Sequence, residues 1–118
     1  MYKRQLLNNG KVGQVRILSR KSVELLSSDL LSQETKDASG SGRWEGRGFG
    51  ITVGVTNDSG LSGQYGSSGK YYWGGAAKTV FWIDPKEELV AIAMTQVLGS
   101  SLPLREDFEA LVYAAIDD

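Results

Sequence analysis

The chain has 118 residues, 41% of them apolar and 23% charged, with a formal net charge of −1. That is the size and balance of one small globular domain, and it argues against a disordered tail or a basic nucleic-acid surface. There is no cysteine and no histidine, which excludes disulfides, thiolate nucleophiles, Cys- or His-ligated metals and a Ser-His-Asp triad built from these residues.

No apolar run in the sequence approaches the ~18 residues needed to span a bilayer. The chain opens Met1-Tyr2-Lys3-Arg4-Gln5-Leu6-Leu7-Asn8-Asn9-Gly10. The leucine pair after the basic residues is too short for a signal-peptide core. The segment reads as the last turn of a helix, stopped by Asn9-Gly10. A helix that begins at its own end points to a cut gene. Residues 1–5 are therefore expected to be a cloning artefact, and residues 6–118 the C-terminal portion of a larger domain.

Val15 to Leu18 alternates and is expected to be extended. Ser19 stands where an N-cap belongs, before a helix expected over Arg20 to Leu30 with Val23, Leu25, Leu26 and Leu30 near helical spacing. Gln33 to Arg43 is polar and aperiodic and reads as a loop. From Arg47 the period becomes two: Phe49, Ile51, Val53 and Val55 alternate with small residues, which predicts one strand. Asn57 to Lys70, with glycines at 60, 63, 66 and 69, reads as a flexible surface loop.

Tyr71-Tyr72-Trp73 opens a second strand and Thr79 to Ile83 forms a third. After the polar turn Asp84–Glu88, Leu89 to Gln96 forms a fourth, apolar enough to be expected buried on both faces. Pro103 precedes a last helix in which Leu104, Phe108, Leu111, Val112 and Ala115 form a stripe, with Glu106 and Asp107 in the early turns. Strands joined by short turns predict an antiparallel meander, and the fold class is α+β with the C-terminal helix packed on the sheet. That helix covers one face only. The Arg20–Leu30 helix is short and is not assigned to the same sheet, so covering elements from a missing N-terminal portion are expected.

Several strings imitate chemistry. Gly46, Gly48 and Gly50 resemble a phosphate loop, but no helix follows. Glu106-Asp107 and Asp117-Asp118 are better read as helix-terminal acids and a solvated tail than as a metal site. Ser67-Ser68-Gly69-Lys70 fits Ser-x-x-Lys, but it lies in a loop. Nothing there is expected to hold the lysine against the serine or to desolvate it.

The run Tyr72-Trp73-Gly74-Gly75-Ala76-Ala77-Lys78-Thr79-Val80-Phe81-Trp82-Ile83-Asp84-Pro85, with Leu89 to Gln96 after it, resembles the C-terminal region of the serine β-lactamase-related hydrolases. These include class C-like β-lactamases, family VIII-type carboxylesterases and penicillin-binding-protein-like peptidases. The likeness extends through Leu6–Leu31 and Phe108–Ala115, and it implies part of a β-lactamase/transpeptidase-like fold. In that family a Ser-x-x-Lys motif supplies nucleophile and base, a Tyr-x-Asn motif a second proton-transfer group, and a third motif on an inner strand walls the substrate pocket. Trp73-Gly74-Gly75 matches the third motif, where small residues let an acyl group lie against the strand edge. The resemblance makes Trp73, Gly74 and Gly75 substrate-binding residues and the Ala76 backbone N–H an oxyanion-hole donor.

The implied reaction is acyl transfer through serine on a small ester, amide or β-lactam, with no metal and no organic cofactor. Trp73 stands where relatives acting on β-lactams or peptides often carry Lys or His, which favours neutral esters. Lys78 replaces the glycine usual after the two alanines and reads as a solvated turn lysine. There is no Tyr-x-Asn, so the chain is expected to carry the third-motif wall without the nucleophile. The competing reading is a non-enzymatic module in which Tyr71, Tyr72, Trp73 and Trp82 bind cell-wall peptide or glycan, although strand alternation puts Tyr72 and Trp73 on opposite faces.

Overall fold

The computed structural model describes residues 2–40 and 42–117. Met1, Ser41 and Asp118 fall outside the described residues, and with them one end of the expected artefact, one position of the expected 33–43 loop and the last residue of the acidic tail. Helix α1 (Tyr2–Leu7) is followed by a hairpin of β1 (Lys11–Val12) and β2 (Val15–Arg16), then by α2 (Arg20–Leu26) and α3 (Gln33–Ala38). Next come β3 (Arg47–Phe49), β4 (Gly54–Thr56), α4 (Ser59–Ser62), β5 (Tyr71–Gly74), β6 (Val80–Asp84), β7 (Leu89–Ala93) and α5 (Leu104–Ala114). The main sheet is five-stranded, ordered β3-β4-β5-β6-β7, with every neighbour antiparallel. The predicted α+β meander with a C-terminal helix is the observed architecture.

Each face of the sheet carries its own core. On one, Tyr71, Ile83, Val53 and Val55 pack with Leu6 of α1 and Val23 of α2. On the other, Val80, Trp82 and Ala91 pack with Phe108, Val112 and Tyr113 of α5. The alternation of β6 makes this division, since Trp82 and Ile83 point to opposite sides and both are fully buried. The short helix after Ser19 does pack on the same sheet, contrary to expectation. It is capped as the sequence predicts, with the Ser19 hydroxyl accepting from the Ser22 N–H at 3.0 Å, but it ends at Leu26.

Other expectations are corrected. Arg47 to Val55 is not one strand. The Gly50 N–H donates to the Val53 carbonyl at 2.8 Å and folds the segment into the β3–β4 hairpin, pairing Phe49 with Gly54 and Gly48 with Val55. Gln33 to Ala38 is a helix, capped by the Ser32 side chain on the Thr35 N–H. It buries no residue, so it leaves no apolar period to read. The glycine-rich 57–70 segment holds α4, capped by Asp58.

β7 is not buried on both faces: its one buried residue, Ala91, faces the core under α5. It is an edge strand, and Ile92 and the following Met94 are 45% and 82% exposed. In α5 the expected stripe is rotated: Leu111 is exposed, while Glu109 is buried. No helix among the described residues is long and apolar enough to cross a membrane.

Candidate active site

The site predicted from sequence lies where β5 leaves the sheet. β4 pairs with β5 only at Tyr71 and Tyr72, whereas β6 runs along it to Gly74. Trp73 and Gly74 therefore present one unpaired strand edge. The chain then turns. The Gly75 N–H donates to the Thr79 carbonyl at 2.9 Å and the Lys78 N–H to the Gly75 carbonyl at 3.0 Å. The Ala77 carbonyl accepts from the Thr95 hydroxyl at 2.7 Å and from the Val97 N–H at 3.2 Å, tying the turn to the segment after β7. Among the described residues no acceptor takes the Ala76 N–H, and Ala76 is exposed. A hydrogen-bonded turn that leaves an N–H without an acceptor at an exposed residue is the kind of group that can stabilise developing negative charge.

The small residues have a local reason as well. A β-carbon on Gly75 would stand 2.7 Å from the Thr79 hydroxyl oxygen, and one on Gly74 would stand 3.0 Å from the Thr79 carbonyl oxygen. Gly74, Gly75 and Ala76 line a hollow of about 350 Å³ whose far wall is Leu102, Arg105 and Glu106 at the start of α5. Trp73 does not line it. Its ring is 49% exposed and stands edge-on to Phe49, centroids 5.2 Å apart, beside a smaller hollow of about 220 Å³ with Phe81 and Met94. The expected set is thus contiguous along the strand but split between the two sides of the sheet.

At the Ser67–Lys70 string the lysine is not held against the serine, as expected, but it is desolvated, against expectation. The Ser67 hydroxyl donates to Glu87 at 3.0 Å, and no hydrogen bond joins it to the Lys70 ammonium. Yet Lys70 is fully buried, which corrects the expectation that nothing would desolvate it. Its ammonium donates to the Tyr65 carbonyl and faces Glu109 at 3.5 Å, with the Tyr72 and Tyr113 rings nearby. Burial pushes its pKa below the usual lysine range, against the opposing pull of Glu109.

Glu109 also accepts from Arg105 Nε at 3.1 Å, and the Arg105 guanidinium lies over the Tyr72 ring at 4.3 Å. Asp84 completes this layer. It is fully buried and accepts from the Ser67 N–H at 2.8 Å and the Tyr113 hydroxyl at 2.9 Å. Desolvation, reinforced by that hydrogen bond, drives the Tyr113 phenol well above its ordinary pKa. Gly66, at φ +99, must be glycine here, because a β-carbon would meet the Tyr113 hydroxyl at 2.5 Å.

The four aromatics of the binding-module reading form no platform: Tyr71 and Trp82 are buried on opposite faces, and only Trp73 is broadly exposed. Sequence reasoning missed Lys70, Glu109 and Arg105. A lysine and a glutamate far apart in the chain give no pairing signal until the fold brings them together.

A family model described as Beta-lactamase matches residues 4–115. Protein Rv1367c of Mycobacterium tuberculosis (strain ATCC 25618 / H37Rv) is 38% identical over 98 residues, which cover 79% of this chain and 24% of that protein. The chain thus spans about a quarter of the length of the curated relatives it matches. Among solved structures, EstCE1, a hydrolase with promiscuous acyltransferase activity, superposes with a TM-score of 0.67 at 23% identity, covering 90% of this chain and 26% of that one. Simvastatin synthase (LovD) from Aspergillus terreus gives a TM-score of 0.70 at 24% identity, covering 95% and 32%. At these identities the likeness speaks for the fold.

Proposed function

The chain belongs to the β-lactamase family, and from that premise we propose that it supplies the third-motif wall of an acyl-serine hydrolase active site, with esters as the favoured substrates. Gly74 and Gly75 form the strand edge against which the acyl group lies, and Trp73 flanks it. The nucleophilic serine and its base come from outside these residues and face the unpaired edge of β5 at Trp73 and Gly74. In acylation the serine oxygen forms a bond to the substrate carbonyl carbon while its proton passes to the base. The carbonyl oxygen becomes an oxyanion and accepts from the Ala76 N–H. The leaving group departs with the proton, and water then cleaves the acyl-serine. The observation that carries this reading is the Ala76 N–H, free of any acceptor among the described residues, at the end of an unpaired strand edge.

The chain alone is expected not to turn over p-nitrophenyl butyrate, and turnover abolished by Ser67→Ala would reverse that. The positive test is fusion behind the N-terminal portion of a family member carrying Ser-x-x-Lys and Tyr-x-Asn. Ala76→Pro, which removes the donor, should lower kcat by about 10²–10³-fold, while Ala76→Gly retains most of it. Equal rates for the proline and glycine variants would sink the proposal.

A further inference from the structure

We propose that a hollow of about 650 Å³ between α3, the 42–46 turn and the start of α4 binds an uncharged saccharide. The site is separate from the Gly75 turn and independent of the acyl-serine reading. The register of β4 on β5 puts Asn57, one of its walls, beyond the Lys70 end of β5, whereas Gly75 follows the other end. The volume lies within the roughly 300–1,000 Å³ usual for small-molecule sites.

The walls are set by the chain's own hydrogen bonds. The Gly46 carbonyl accepts from the Asn57 and Asp58 N–H groups at 2.8 and 3.0 Å, closing the turn onto α4. A β-carbon on Gly46 would stand 2.4 Å from the Asp58 carbonyl oxygen, so this approach needs glycine. The half-buried Trp44 donates from its indole to the Ser39 hydroxyl at 2.7 Å, which ties its ring to the end of α3. With that N–H engaged, the ring offers the hollow its apolar body.

The unengaged polar groups of the walls are of both kinds. Arg47 donates through Nη2 to the Ser62 carbonyl at 2.7 Å, but its Nε is buried with no partner, and a donor in that state calls for an acceptor. Glu45 is exposed and joins no ion pair among the described residues. Asn57 and Gln33 direct their amide N–H groups to Asp29 and Asp37, which leaves their side-chain oxygens as acceptors. A phosphate only accepts and a metal ion only takes acceptors, so neither matches a mixed set. A sugar hydroxyl does both, and a pyranose adds a C–H face to lie on an indole.

Charge points the same way. Asp37, Glu45 and Asp58 line the hollow against two cations, of which Lys36 is already paired with Asp29, so an anion is disfavoured. The acids make no cation site either. Asp37 accepts from Gln33, Asp58 accepts from the Leu61 N–H to cap α4, and no cluster of three metal-ligating groups occurs among the described residues.

The test is an amide-resolved NMR titration of the 118-residue chain with glucose, galactose and N-acetylglucosamine in turn. Glucose 6-phosphate and glucosamine serve as charged counterparts. At least one neutral sugar should move the Trp44, Glu45 and Asn57 amide signals with millimolar affinity, while the Gly75 and Ala76 signals stay still. Trp44→Ala should weaken binding about tenfold or more. Glu45→Ala, at an exposed residue where folding is not at stake, should weaken it about tenfold. No saturable movement up to about 100 mM of any neutral sugar would overturn the proposal. So would tighter binding of either charged counterpart, affinity untouched by both substitutions, or movement at Gly75 and Ala76 instead. None of these outcomes bears on the acyl-serine reading, which the Ala76 variants test separately.

Discussion

At one end of β5, Lys70 is fully buried, its ammonium shared between the Tyr65 carbonyl and Glu109; at the other, Gly75 and Ala76 stand in the open, and among the described residues no acceptor takes the Ala76 N–H. Both ends spend polar groups, but to different purposes. The buried end joins the 65–70 loop, the sheet and α5 through charges that have lost their water. The open end keeps a donor unused and its backbone bare. A polar group withdrawn from solvent must be partnered by its own fold, whereas one left facing solvent is available to a ligand. Arg105 stands between the two, tied to Glu109 by Nε and lining the hollow at Gly75.

The widest separation between the ends is expected from Lys70→Met. Removing the cation strands Glu109 in a buried site beside only Arg105, and such a break typically costs about 3–5 kcal/mol. Urea denaturation reads it directly. The double variant Lys70→Met/Glu109→Leu should recover part of the loss, because it removes the stranded carboxylate, while Arg105, 30% exposed, gives up its acceptor and turns to solvent. If the double variant is no better than the single one, the pair is not the unit that holds α5 to the loop.

That buried end was also the less legible one. The glycine stop of β5 and the Asp84–Glu88 turn could be read from residue types alone, because local chemistry decides them, whereas the role given to Trp73-Gly74-Gly75 rests on the family resemblance. The core under α5 followed from the apolar pattern of that helix, but the second core did not, because the short helices that cover the other face of the sheet were not assigned to it. Lys70 and Glu109 could not be found this way, since their environment is created by residues 39 positions apart. The same limit explains the rotated stripe of α5: Leu111 looks like core and is exposed, while Glu109 looks like surface and is buried. The β3–β4 hairpin was missed for a different reason. Its turn lacks an Asn-Gly or Asp-Gly pair, and the period-two pattern runs straight through it.

Asp29 offers a control far from β5. It accepts from the Leu31 and Phe49 N–H groups, from Asn57 and from Lys36, gathering the segment after α2 onto β3. Burial pushes its pKa up, but these hydrogen bonds, that of Lys36 foremost, outweigh it and hold the carboxyl below the usual aspartate range. Because the folded-state pKa is the lower one, the stabilisation is complete above the unfolded value of about 4 and is lost as pH falls through the native value. Asp29→Asn should cost about 2 kcal/mol at neutral pH and little once both states bind the proton. Denaturation midpoints at pH 7 and pH 2.5 compare the two. An undiminished deficit at low pH would mean that shape, not charge, holds this junction. The hollow at Ala76 should be unaffected throughout, which would separate scaffold from site.

The smallest effect has the opposite sign. Lys78 occupies the left-handed region at φ +63, and replacing a side-chain-bearing residue there with glycine removes a steric cost of roughly 1 kcal/mol, partly cancelled by the extra freedom glycine has when unfolded. Lys78→Gly should therefore stabilise the chain by about 0.5 kcal/mol. The turn's own hydrogen bonds run through the backbone N–H and carbonyl groups of residues 75, 78 and 79, which the substitution leaves in place. A stability gain would show that the lysine stem contributes nothing to packing, so that the turn at the open end of β5 carries strain that the fold does not need. A loss of stability would show instead that its aliphatic stem is packing material, and the contrast between the two ends would have to be redrawn at Gly75.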